Sequence, residues 1–95
     1  MRLHNIKHKE DHVSFREAVL QGLGRDQGLY FPDAFRELDD VAGLLETPFI
    51  ERSVAVLGHL VGDEIAGPTL HEMVASAFDF PLHVPVLDDG TRALE

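Results

Sequence analysis

Ninety-five residues make a single domain, and 44% apolar with 26% charged residues is the make-up of a folded chain, not a disordered one. Eight basic against seventeen acidic residues leave a formal charge of −9, which argues against nucleic acid and anionic membrane surfaces, since both need Lys and Arg to neutralise phosphate. The absence of cysteine excludes disulfides, thiolate catalysis and cysteine-ligated zinc, and with neither a membrane-length apolar run nor a signal-peptide core at Met1–Asn5, a soluble cytoplasmic domain is expected.

In chain order, a short strand is expected near 2–6. Ser14-Phe15-Arg16-Glu17 fits a capping box, in which the Ser hydroxyl and the Glu carboxylate each satisfy an orphan backbone N–H. Phe15, Ala18, Val19 and Leu23 follow at helical spacing, which predicts a helix over 15–22, stopped by Gly22 and Gly24. Gln27-Gly28-Leu29-Tyr30-Phe31-Pro32 reads as a turn and then a short extended segment near 29–31, ended by a proline that cannot donate to a ladder. Alternation along that strand puts Leu29 and Phe31 on one face and Tyr30 on the other; if Leu29 and Phe31 point inward, Tyr30 points outward. Asp39-Asp40 can cap a short helix through Leu45.

Thr47-Pro48 reads as N-cap and first helical residue of a longer helix over 48–61, with Ile50, Val54, Leu57 and Val61 as its apolar stripe and Gly62 as its stop. After the Gly67-Pro68 breaker, Thr69-Leu70-His71-Glu72 matches a second capping box, predicting a helix over 70–78. Val84-Pro85-Val86-Leu87 is β-prone, and Asp88-Asp89-Gly90 is a hairpin turn signal. Thr91–Glu95 would be the returning strand, inside which the sequence stops, as at a cut boundary. The fold class is α+β: a small helix-rich domain with short strands at the start, near 29–31 and near 84–94.

No residue set carries chemistry convincingly. Gly22-Leu23-Gly24-Arg25-Asp26-Gln27-Gly28 lacks the third glycine of a dinucleotide loop and follows a helix instead of preceding one, so it reads as a helix stop and turn. His71-Glu72 lacks the second His of a zinc-protease motif, since Ala75 stands there. His4, His8 and His12 would stack on a helix, but nothing caps one, and Asn5, Lys7 and Lys9 read as solvated surface; no metal site is expected. Asp39-Asp40, Asp63-Glu64 and Asp88-Asp89 read as turn and capping residues. Ser14, Thr47 and Thr69 are taken by caps, and none of the serines or threonines stands in a nucleophile elbow.

One longer pattern is specific. The stretch VSFREAVLQGLGRDQGLYFP, Val13 to Pro32, resembles the segment that opens threonine synthases: a short helix, a Gly-rich turn, then a Leu-Tyr-Phe-Pro strand. GDEI at Gly62 to Ile65, AFDFP at Ala77 to Pro81 and the tail VPVLDDGTRALE agree in order, so the resemblance runs over essentially residues 1–95. Two departures stand out. Many family members carry Ser-Thr-Arg-Gly where this chain has Ile6-Lys7-His8-Lys9, and Asp-Gly-Gly where it has Asp26-Gln27-Gly28. No role can be carried over from the missing Arg.

The resemblance implies the N-terminal domain of a pyridoxal-phosphate enzyme of threonine biosynthesis, a lyase that converts O-phospho-L-homoserine and water to L-threonine and phosphate. The Schiff-base lysine of that family lies in a Phe-Lys-Asp motif beyond a tail like this one. Here the lysines are Lys7 and Lys9 alone, so no catalytic, cofactor or metal residue is assigned within 1–95, and the chain by itself should be inactive. Its partners would be the catalytic domains of its own chain, docked through Gln27, Gly28, Tyr30 and Pro32, with Tyr30 as an exposed aromatic anchor beside the active-site entrance. A free-standing acidic protein-interaction module is the alternative.

Overall fold

A computed structural model of the chain describes residues 1–94. Three short strands, β1 (Arg2–Asn5), β2 (His12–Ser14) and β3 (Tyr30–Pro32), form an antiparallel sheet in the order β2-β1-β3. Leu3 lies opposite Val13 on one side and Pro32 on the other, and Asn5 lies opposite Tyr30. β2 escapes a reading by periodicity because three residues are too few to show one. It forms because the chain doubles back after Asn5, whose carbonyl accepts from His8 N (3.2 Å) while Asp11 O accepts from Asn5 N (3.0 Å).

The helices are α1 (Phe15–Gln21), α2 (Val41–Glu46), α3 (Phe49–Val61) and α4 (Gly67–Ala77). The first capping box is present in full: Ser14 Oγ accepts from Glu17 N at 3.1 Å, and Glu17 Oε2 accepts from Ser14 N at 2.8 Å. Gly22 ends α1 at φ +77°, a conformation that costs an L side chain strain. Asp40 caps α2 through Gly43 N.

Two expected starts are corrected. Thr47 does not cap α3, because α2 already uses it: Thr47 Oγ1 donates to Leu44 O at 2.7 Å, and Pro48 is the N-cap, with no side-chain bond. Thr69-Leu70-His71-Glu72 is no capping box either. α4 opens earlier, at Gly67, because Pro68 fits a helix's first turn, where its missing N–H would have had no partner.

The tail is corrected as well. Its turn is present, with Gly90 at φ +86° and Thr91 N donating to Asp89 Oδ1, but the strands expected over 84–87 and 91–95 reduce to one bridge, Val86 to Arg92. An isolated two-stranded ribbon is marginal in water, and Pro85 carries no N–H for a ladder. Glu95 lies outside the described residues.

Packing is sparse. Among the described residues the buried apolar side chains are Leu3 from the sheet, Val61 from α3, and Leu70 and Val74 from α4. Phe49 and Phe78 close the far end of the α3–α4 pair edge to face, 5.3 Å between ring centres. Polar ties supplement this core. Glu64, in a 3-10 turn over Gly62–Glu64, accepts from Phe15 N (2.9 Å) and Arg16 N (3.3 Å) and from the Met1 ammonium (3.1 Å), so one carboxylate holds the start of α1 and of β1 against the end of α3. The Arg52 guanidinium closes the α2–α3 corner by donating to the carbonyls of Leu44, Leu45 and Thr47 at 2.7–2.9 Å.

Two outcomes follow. Arg52→Ala leaves the last carbonyls of α2 without their charged donor and should cost about 2 kcal/mol in urea denaturation, the scale of hydrogen bonds to charged groups. The bond from Phe15 N, then those from the Met1 ammonium and Arg16 N, hold the Glu64 carboxyl below its ordinary range against the opposing effect of desolvation. A depressed carboxylate stabilises the fold above its unfolded value of about 4.3 and ceases to as pH falls through its folded value. Glu64→Gln should therefore lower the melting temperature at pH 7 and flatten its decline below about pH 4.3, as read by circular dichroism.

Candidate functional site

The expected docking residues lie on one substructure, a turn wrapped around a buried amide. Asn5 is completely buried, against its expected place on the surface, and its side chain organises the loop above it. Asn5 Nδ2 donates to Arg25 O (3.0 Å), and Asn5 Oδ1 accepts from Lys7 N (2.9 Å). The loop runs through a 3-10 turn at Arg25–Gln27 and closes on itself, Gly24 N donating to Gly28 O at 2.8 Å. The reason for the glycines is close approach: a Cβ on Gly28 would stand 1.8 Å from Asn5 Oδ1, and one on Gly24 would stand 2.7 Å from Asn5 Nδ2. Gln27 sits at φ +62°, in the left-handed region that glycine adopts freely and a glutamine only with strain.

Salt bridges and one lysine-to-carbonyl hydrogen bond brace the outside of this turn. Arg25 donates to Asp11 Oδ2 (3.0 Å) and Glu10 Oε1 (2.7 Å), Lys7 Nζ to Asp26 O (2.8 Å), and His8 Nε2 pairs with Asp26 Oδ2 at 2.5 Å. His8 holds the Asp26 carboxyl low, by its hydrogen bond first and then its charge; the Glu10 carboxyl is lowered by a backbone hydrogen bond first and Arg25 second. His4 and His12 face each other across β1 and β2, and both approach Asp33, at 2.8 and 3.2 Å. The three histidines thus serve carboxylate pairs. Among the described residues no group of three or more His, Asp or Glu side chains is arranged to hold a metal ion.

The facing of β3 is the reverse of that expected. Leu29 and Phe31 point to solvent, and Tyr30 is half-buried, its hydroxyl donating to Gln21 Oε1 at 2.9 Å. Tyr30 pairs with buried Asn5, and Pro32 with buried Leu3, so register places both on the inner face. Of the four expected docking residues, Gln27 is exposed, Gly28 is buried and Tyr30 and Pro32 are half-buried; they shape the turn from within more than they present it. Asn5 was missed because an asparagine beside lysines gives no sign of burial. The glycines at 24 and 28, both within reach of one side chain, were the available signal.

Comparison with known proteins fixes the relationship. The family described as threonine synthase N terminus matches residues 5–78. The chain belongs to the threonine synthase N-terminal family. It is 47% identical over 95 residues to threonine synthase of Haemophilus influenzae, covering 100% of this chain and 22% of that protein. Against the Escherichia coli enzyme the figures are 40% over 97 residues, 100% and 23%. The crystal structure of E. coli threonine synthase superposes with a TM-score of 0.83 at 41% identity, over 94% of this chain and 22% of that one. The chain thus spans less than a quarter of the length of these relatives, and its 95 residues correspond to their N-terminal portion.

The turn generates a direct test. Gly28→Ala must push Asn5 aside or open the loop and should cost about 1–3 kcal/mol, the range for overpacking. Gly67→Ala, where a Cβ meets nothing within 4 Å, should leave the urea midpoint nearly unmoved.

Proposed function

We propose that this chain is the N-terminal domain of a cytoplasmic threonine synthase, a pyridoxal-phosphate enzyme that converts O-phospho-L-homoserine and water to L-threonine and phosphate. The observation that carries the reading is the 47% identity to a threonine synthase over the chain's whole length, in one register with the family match. A free-standing interaction module would have no reason to keep that register from the first strand to the tail.

The residues described here do not fit the cofactor. Lys7 and Lys9 are both exposed, and Lys7 Nζ is already bound to Asp26 O at the outer edge of the turn. Pyridoxal phosphate, when bound, supplies the electron sink of this chemistry. Its lysine is accordingly assigned to the catalytic domains, and this domain's part is architectural. The Gln27–Pro32 segment is the docking element, held in shape by Asn5 and Tyr30 beneath it and placed at the rim of the active site.

The full-length protein should release phosphate and form threonine from O-phosphohomoserine, measured by coupled phosphate assay and chromatography. Absence of threonine from cofactor-loaded enzyme would defeat the reading. Replacing both Lys7 and Lys9 by Arg in the full-length protein should leave the cofactor absorbance band and the turnover within about twofold of the parent, as expected for surface substitutions. Loss of the band would return the Schiff base to this domain.

A further inference from the structure

The sheet has two faces, and only one is used by the domain's own core. Leu3, Asn5, Val13, Tyr30 and Pro32 occupy the inner face. On the outer face Ile6, His4 and Arg2 alternate with them along the first strand, and Leu29, Phe31 and Asp33 along the third. Ile6 N donates to Leu29 O at 3.0 Å, so the β1–β3 pairing continues by one residue and sets Ile6 beside Leu29. Phe31 stacks edge to face on Phe35, 5.6 Å between ring centres. Ile6, Leu29, Phe31 and Phe35 are 48%, 59%, 51% and 63% exposed, and they form one stripe instead of scattered surface residues. At its polar end the charges are already matched, Asp33 pairing with His4, His12 and Arg2.

We infer that this outer sheet face, the stripe Ile6–Leu29–Phe31–Phe35, is the surface on which the catalytic body of the same enzyme seats. The inference rests on the threonine synthase reading, which supplies the occupant: these residues match only 22% of the relatives' length, and the remaining three quarters and more must pack somewhere on this domain. The shape of the domain agrees. Its radius of gyration is 16.6 Å, against about 12 Å for a compact chain of this length. It exposes 7273 Å² where a folded monomer of its mass exposes about 5,500 Å². The excess of about 1,800 Å² is roughly twice what one partner buries in a standard interface. A body carried on the stripe would bury two aromatic rings that the domain leaves in water, and bulky aromatics are the side chains that anchor interfaces.

The absence of cysteine from these residues makes the test direct. Leu29→Cys, Phe31→Cys and, as reference on an exposed helix position, Glu72→Cys are made singly in the full-length protein. Alkylation of each is followed by mass spectrometry in the native enzyme and in urea, and the ratio of the two rates gives its protection. Thiol reactivity follows exposure, so an uncovered stripe should be protected about twofold, and a seated one about tenfold or more. The expected result is strong protection at 29 and 31 with little at 72. Uncovered thiols at 29 and 31, or equal protection at all three sites, overturn the inference. Protection that vanishes on dilution to the monomer also overturns it, by giving the face to a second copy. Threonine formation is measured on the same preparations. An active enzyme with a reactive stripe sinks the docking face and spares the functional reading; a protected stripe without threonine formation does the reverse.

Discussion

The Glu64 carboxylate ties the parts of this fold together. It accepts from the first two N–H groups of α1 and from the Met1 ammonium that leads into β1, while its own backbone follows directly on α3. The N-terminus of a helix carries partial positive charge and unpaired donors, so a carboxylate there is favourable even when it comes from 48 residues away. The sheet with α1, and the helix pair α3–α4, have few buried apolar side chains in common. Leu3, Val61, Leu70 and Val74 make a core too small to fix the angle between the two parts by packing alone. A directional polar contact, Glu64, ties the two parts at their joint, while Arg52 holds the α2–α3 corner and Asn5 the Gly-rich turn.

That division explains what the sequence discloses and what it conceals. Local chemistry is legible: the Ser14–Glu17 capping box, the Asp40 cap, the glycine stops at 22 and 62, and the turn at Asp88–Gly90 all act within a few residues of themselves. Contacts between distant residues are not. Glu64 reads as half of an acidic turn and Asn5 as surface, and Arg52 carries no signal at all, because nothing in their neighbourhoods states where the chain returns. The false starts at Thr47 and Thr69 have a related cause. Each has the right spacing for a cap, but Thr47 is engaged by α2, and Pro68 extends α4 past Thr69.

Tyr30 shows the same limit at the candidate site. Alternation correctly put Leu29 and Phe31 together and Tyr30 opposite, but alternation alone leaves open which set faces in. The structure turns Tyr30 inward and half-buries it, with its ring over Gly24 and its hydroxyl on Gln21. A tyrosine can satisfy its polar tip while filling a gap beside a buried amide, and neither a leucine nor a phenylalanine could.

The reversal bears on function. In an autonomous domain, turning Leu29 and Phe31 out while the core holds four apolar side chains would be a poor arrangement, since burying such a side chain is worth roughly 1.5–3 kcal/mol. It becomes reasonable when the domain is one part of a larger enzyme and its exposed apolar groups are used between domains. The rigid turn over Asn5 then has a purpose beyond local stability. Strain at Gln27 and close approach at Gly28 fix the backbone that carries Leu29 and Phe31, so the apolar groups are offered in one conformation. Association with a preformed surface avoids the entropy of ordering a loop. On the docking proposal, the Gly-rich stretch, which resembles a phosphate loop only superficially, is the device that holds that surface still.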